Sequence, residues 1–113
     1  MKLDGQAFKN SDTCEGVSFA APDAPLDIAR IEINGRYPEQ GFTRNLRSHE
    51  VVYVIEGAGK VTVDETETTL TIGDVVHIPP DTPFAWDGHM TLIMACDPPF
   101  EPTQYELINE AGA

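Results

Sequence analysis

A chain of 113 residues with 41% hydrophobic content has the length of one ordinary domain and enough apolar mass for its own core, so folding needs neither disulfides nor a structural metal. Its formal charge of −12, from 19 acidic against 7 basic residues with no stripe of Lys or Arg, argues against nucleic acid and anionic membrane as partners. Cys14 and Cys96 lie far apart without C-x-x-C spacing, the amino terminus lacks the apolar segment of a signal peptide, and no apolar run approaches membrane-spanning length, so a soluble cytoplasmic protein with reduced thiols is expected.

Residues 1–25 mix Gly, Pro, Ser, Asp and Ala, with Ala20-Ala21-Pro22-Asp23-Ala24-Pro25 as the clearest loop signal, and read as an amino-terminal arm or lead-in strand before a single domain over 26–113. From Ile28 the chain alternates, placing Ala29, Ile31 and Ile33 on one face and charged residues on the other, a strand's period of two. The same pattern predicts strands near 50–56, 59–64, 67–72, 74–79 and 90–96, rich in Val, Ile and Thr. Turn chemistry separates them at Asn34-Gly35, Glu56-Gly57-Ala58-Gly59, Asp64-Glu65, Gly73-Asp74, Pro79-Pro80-Asp81 and Asp87-Gly88. Short strands with Gly and Pro at the joints give an all-β sandwich or barrel. The absence of a Trp flanked by paired cysteines argues for the barrel over an immunoglobulin-like sandwich.

Two blocks carry a resemblance. In the first, Gly41 to Gly57, Glu50 is followed at the seventh position by Gly57; in the second, Gly73 to Trp86, Gly73 is followed at the sixth by Pro79. The stretches "VVYVIEGAGKV" and "GDVVHIPPDTPF", separated only by a short hairpin segment, resemble the two motifs of the cupin superfamily, in particular its small single-domain bacterial members. The resemblance covers roughly residues 36–100 and implies a cupin-type antiparallel β-barrel, the double-stranded β-helix or jelly roll. Gly57 and Gly73 then sit where strands reverse, and Pro79 stiffens a turn.

Metal-binding cupins hold their ion with a His-x-His pair, the motif-one glutamate and a motif-two histidine. Carried over by position, the pair falls on Arg44 and Leu46 and the last histidine on Phe84; a slip of one residue gives Thr43 and Asn45 instead, again without imidazole. Only Glu50 remains, so no metal and no cofactor are expected at the usual place. Of the histidines, His49 neighbours Glu50 on the opposite strand face, His77 lies in the motif-two strand and is retained as a possible pocket residue, and His89 follows a turn and faces water. A displaced metal site using them stays open.

An inward Glu50 among Val52 and Val54 needs a cation or hydrogen bonds, and Arg44 is the candidate partner, either to Glu50 or to a ligand carboxylate. Phe84 and Trp86, two apart, share a face and would wall the barrel mouth. Cys96 reads as an inert core thiol, and Ser48 and Thr82 lack any motif that would orient them as nucleophiles. The expected ligand-binding set is Arg44, Leu46, Glu50, His77, Phe84 and Trp86. Three functions remain: a metal-free cupin binding a small organic molecule; a metal-independent isomerase or lyase with Glu50 as general acid/base; and a non-catalytic dimeric scaffold. Uncovered strand edges make a homodimer the expected assembly.

Overall fold

The computed structural model describes residues 1–108. Among the described residues nine strands follow in order: β1 (Gln6–Ser11), β2 (Cys14–Phe19), β3 (Asp27–Tyr37), β4 (Phe42–Asn45), β5 (His49–Val63), β6 (Thr66–Thr71), β7 (Val75–Ile78), β8 (Phe84–Asp97) and β9 (Tyr105–Ile108). One short 3-10 turn, Pro102–Gln104, precedes β9, and no helix among these residues is long and apolar enough to cross a membrane.

Every pairing is antiparallel, and β8 organises the whole. One edge takes β3, from Asp27 opposite Cys96 to Tyr37 opposite Trp86; the other takes β5, from His49 opposite Asp97 to Val63 opposite Phe84. β7 and then β6 pair with the far edge of β5, β2 and β1 extend the sheet beyond β3, and β4 with β9 closes the end beside Phe84. The curled sheet is the cupin-type β-barrel expected from the two motifs.

Alternation explains why these residues form it. Val52 and Val54 stand directly across from Met94 and Leu92, and all four are buried, while their neighbours Val51 and Tyr53 face out. Ile31 and Ile33 of β3 supply the matching inner surface. Opposed apolar pairs on one face are the unit that stabilises such a sheet.

Three features depart from the sequence expectation. The lead-in segment contains the hairpin β1–β2, which joins the sheet through β3. It buries so little of itself that its residues show weak alternation. The break expected at Gly57–Gly59 is absent: β5 runs through, with a register irregularity between Val54 and Glu56. Asp87-Gly88, read as a turn, lies inside β8, where Gly88 sits opposite both Gly35 and Gly59.

The two motif glycines are not equivalent. Gly57 has φ +81°, and a Cβ there would stand 2.0 Å from the backbone oxygen of His89 on β8. Gly73 has φ +92° with nothing within 4 Å of that position. Gly73→Ala is therefore expected to cost about 1 kcal/mol of backbone strain, whereas Gly57→Ala adds a backbone clash of roughly 1–3 kcal/mol more. Urea denaturation of the two variants checks the order.

Candidate functional site

The barrel holds an open-mouthed cavity of about 340 Å³, bounded by the β1–β2 hairpin, the inner faces of β3, β5 and β8, and β9. Its apolar wall comes from Ile31, Ile33, Phe84, Trp86 and Met94, each placed inward by strand alternation. Phe84 and Trp86 meet edge to face, with ring centroids 6.5 Å apart. The polar lining comes from the titratable Glu50, Asp27, Tyr37, Tyr105 and the thiols Cys14 and Cys96, with the neutral Asn10 and Ser18.

Glu50 is 5% exposed, and its Oε1 has no hydrogen-bond partner among the described residues. Burial pushes its carboxyl up to about 7; a hydrogen bond from the Asn45 side chain works against that rise, and the charge of Asp27 adds to it. Asn45 Oδ1 is likewise buried without a partner among the described residues. Asp27, nearer the mouth, is raised mainly by burial, although Oδ2 accepts a hydrogen bond from the Phe100 N–H at 3.1 Å.

The other titratable groups in the lining stay protonated at neutral pH. Burial raises Cys14 to about 11 and Cys96 to about 12. The hydroxyls of Tyr37 and Tyr105 hydrogen-bond to each other, and burial raises both above the ordinary phenol value. Strands 68 positions apart in sequence thus bring two neutral phenols to one side of the cavity.

Of the residues expected at the site, Glu50, Phe84 and Trp86 are brought together, and Arg44, Leu46 and His77 are not. Arg44 stands one register position off. In β4 it is Thr43 and Asn45 that are buried, and Arg44 turns outward to face Glu106, its direct partner on β9. Its guanidinium binds Glu106 Oε1 at 2.7 Å and approaches Asp81 at 3.5 Å, so it is not the counter-ion of Glu50. Leu46 follows the end of β4 outside the cavity lining.

His77 is exposed on the outer face of β7 because Ile78 next to it points into the core. There it stacks on His49, the two ring nitrogens 3.0 Å apart and the centroids 5.2 Å apart. His89 is exposed. Cys96 lines the cavity wall opposite Glu50 rather than filling solid core.

The hairpin's share of the cavity wall and the brace behind Glu50 were not legible in the sequence. Phe8, Asn10 and Cys14 of the hairpin reach the cavity, and Phe100 meets Tyr105 edge to face at 5.7 Å. Gln104 is buried at the barrel end: Oε1 accepts from the N–H groups of Arg47 at 2.8 Å and Ser48 at 2.9 Å, and Nε2 donates to Ser48 Oγ at 2.7 Å. Ser48 Oγ in turn donates to the Pro98 carbonyl at 2.6 Å. This holds the turn that delivers Glu50 two residues later. A lone Gln beyond the second motif offered no signal for it.

The inward positions that correspond to cupin metal ligands carry a hydroxyl, an amide, one carboxylate and a phenyl ring: Thr43, Asn45, Glu50 and Phe84. That donor set does not fit a transition metal. Among the described residues no group of three or more His, Cys, Asp or Glu is arranged to hold an ion.

Comparison with known proteins agrees with the barrel. The structure superposes on Pac13 of Streptomyces, described as a unique nucleoside dehydratase, with a TM-score of 0.85 over 99% of this chain and 93% of that one at 17% identity. An RmlC-like cupin from Shewanella frigidimarina superposes with a TM-score of 0.69 over 83% of this chain and 84% of that one at 22% identity. In sequence, an uncharacterised protein of Methanocaldococcus jannaschii is 32% identical over 69 residues, 58% of this chain. The match spans 55% of that protein, about half its length. The model of the Cupin_2 family, a cupin domain, matches residues 38–95, which is half of the chain, and the protein is thereby a member of the cupin family.

Proposed function

We propose that the barrel binds a small organic molecule and that Glu50 is its polar anchor. One observation carries this reading: a carboxyl 5% exposed, with Oε1 unpartnered among the described residues, opens on a cavity of about 340 Å³. A buried acceptor without a donor is costly, and native interiors rarely keep one unless a ligand or water completes it. The apolar wall and few convergent polar groups match the make-up of small-molecule sites.

A second reading, a metal-independent isomerase or lyase, is favoured by the Glu50 carboxyl standing at about 7. At neutral pH such a group is present in both forms, the condition for general acid and general base work at one residue. In an elimination the carboxylate would take a proton from carbon; the electron pair of the broken C–H bond forms the double bond as the C–O bond breaks. The protonated acid then returns its proton to the departing hydroxide, which leaves as water. Of the paired phenols Tyr37 and Tyr105, one donates to the other, and the second keeps a hydroxyl hydrogen that can be donated to a substrate oxygen. The barrel-wide likeness to Pac13, described as a dehydratase, supports this reading at the level of the fold.

We also infer a homodimer and a cytoplasmic location. A homodimer rests on the outer face of β5 and β7, where Val51, Tyr53 and Val75 are exposed, and a cytoplasmic location rests on the two free thiols.

A thermal-shift screen of small organic molecules against dialysed protein tests the binding reading. Hits are expected to raise the melting temperature of the wild type and to lose most of that shift in Glu50→Leu, which removes the acceptor, each measured from its own baseline. Shifts that survive the substitution unchanged would place the ligand elsewhere. Elemental analysis of the same preparation is expected to find Fe, Mn, Ni and Zn far below one per chain.

A further inference from the structure

We propose that the cavity selects by charge: it takes an uncharged or amine-bearing molecule whose hydrogen-bond donors face Glu50 and Asp27, and it rejects phosphate- and carboxylate-bearing molecules of the same body. This deepens the binding reading and rests on it.

The lining determines the selection. Its titratable side chains are two carboxyls, two thiols and two phenols, each of which becomes negative when it loses its proton. Among the described residues no Lys, Arg or His lines the cavity. The guanidinium groups near that end of the barrel are engaged outside it: Arg44 on Glu106 and Asp81, Arg47 on Glu101 at 3.3 Å, and Arg36 on the Pro38 carbonyl at 2.7 Å and over the ring of Phe42. A phosphate or carboxylate inside would be desolvated without a counter-ion and would face the field of Glu50 and Asp27 in a chain whose formal charge is already −12.

Donors have the opposite prospect. Glu50 Oε1 lacks a partner among the described residues, and a hydroxyl, amide or ammonium hydrogen would complete it. The wall of Ile31, Phe84, Trp86 and Met94 accepts an apolar or aromatic body behind those donors. The class is therefore an uncharged or amine-bearing molecule with an apolar or aromatic body, the free alcohol or amine rather than the phosphate ester or the acid.

The chain's single tryptophan, Trp86, is buried in the cavity wall, so its fluorescence reports occupancy of this site. Two matched sets serve as probes: uridine against uridine 5′-monophosphate, and benzyl alcohol and benzylamine against benzoate. At a pH of about 8, above the Glu50 value of about 7, each uncharged or cationic member is expected to bind at least about tenfold tighter than its anionic counterpart, because like charges brought together inside a site repel. In the double variant Glu50→Gln, Asp27→Asn the gap is expected to narrow to below about threefold as that repulsion is removed. Anionic members that bind as tightly as their counterparts would overturn the charge selection and leave the binding site standing. No response of Trp86 to any of the five probes would overturn the binding reading and this proposal together.

Discussion

Raising the pH from about 4.5 to about 8 is expected to cost the fold about 3 kcal/mol through Glu50 alone, most of the roughly 3.5 kcal/mol that a carboxyl raised from 4.5 to about 7 carries in full. The sign follows from proton counting. The folded-state value lies above the unfolded one, so between the two the folded protein holds a proton that the unfolded chain has released. The stabilising contribution is complete below about 4.5, declines through the window and is gone above about 7. Asp27, also raised by burial, acts in the same direction, and the excess of acidic residues does so generally. The comparison that isolates Glu50 is therefore wild type against Glu50→Gln. Urea denaturation at both ends of the range is expected to show the variant gaining on the wild type by that amount as pH rises. Parallel pH profiles would mean that the carboxyl is solvated in solution, and the acid/base reading would lose its support.

Gln104→Ala is expected to destabilise the protein by roughly 2–4 kcal/mol, because this buried side chain bonds three polar groups and an orphaned buried group costs about 1–3 kcal/mol, less where the group is only partly buried. Two of them are the N–H groups of Arg47 and Ser48, and the third is the Ser48 hydroxyl, which still has the Pro98 carbonyl. Gln104→Glu matches the amide's acceptor and donor only as the neutral acid, so a smaller loss of about 1–2 kcal/mol is expected at acidic pH and a larger one as the buried carboxyl ionises. Denaturant midpoints order the three proteins. Because Ser48 lies two residues before Glu50, the same Ala variant should weaken any ligand shift that depends on Glu50. A ligand shift that persists at full size would show that the brace supports the fold and not the site.

Glu50, Phe84 and Trp86 could be read from the chain because each rests on a local rule. The spacing of Glu50 to Gly57 located the first motif, and a separation of two put both rings on one face. Arg44 and Leu46 failed for a reason that is also physical. β4 is only four residues long, and a slip of one position exchanges every inward residue for its outward neighbour. What fixed that register was pairing with β9 and β8, more than sixty and forty positions away for Arg44 and Thr43, as shown by Arg44 opposite Glu106 and Thr43 opposite Phe84. His77 failed in the same way, in a strand equally short.

The amino-acid sequence by itself determined an all-β chain, a buried glutamate without its family's imidazoles, and a strongly negative molecule, since composition and a period of two are properties of neighbouring residues. Tertiary structure alone decided that the lead-in hairpin walls part of the interior, that Tyr37 meets Tyr105, and that Arg36, Arg44 and Arg47 are engaged outside the cavity. These depend on which distant strands pair and in which register, and that outcome is set by the closure of the whole sheet on itself.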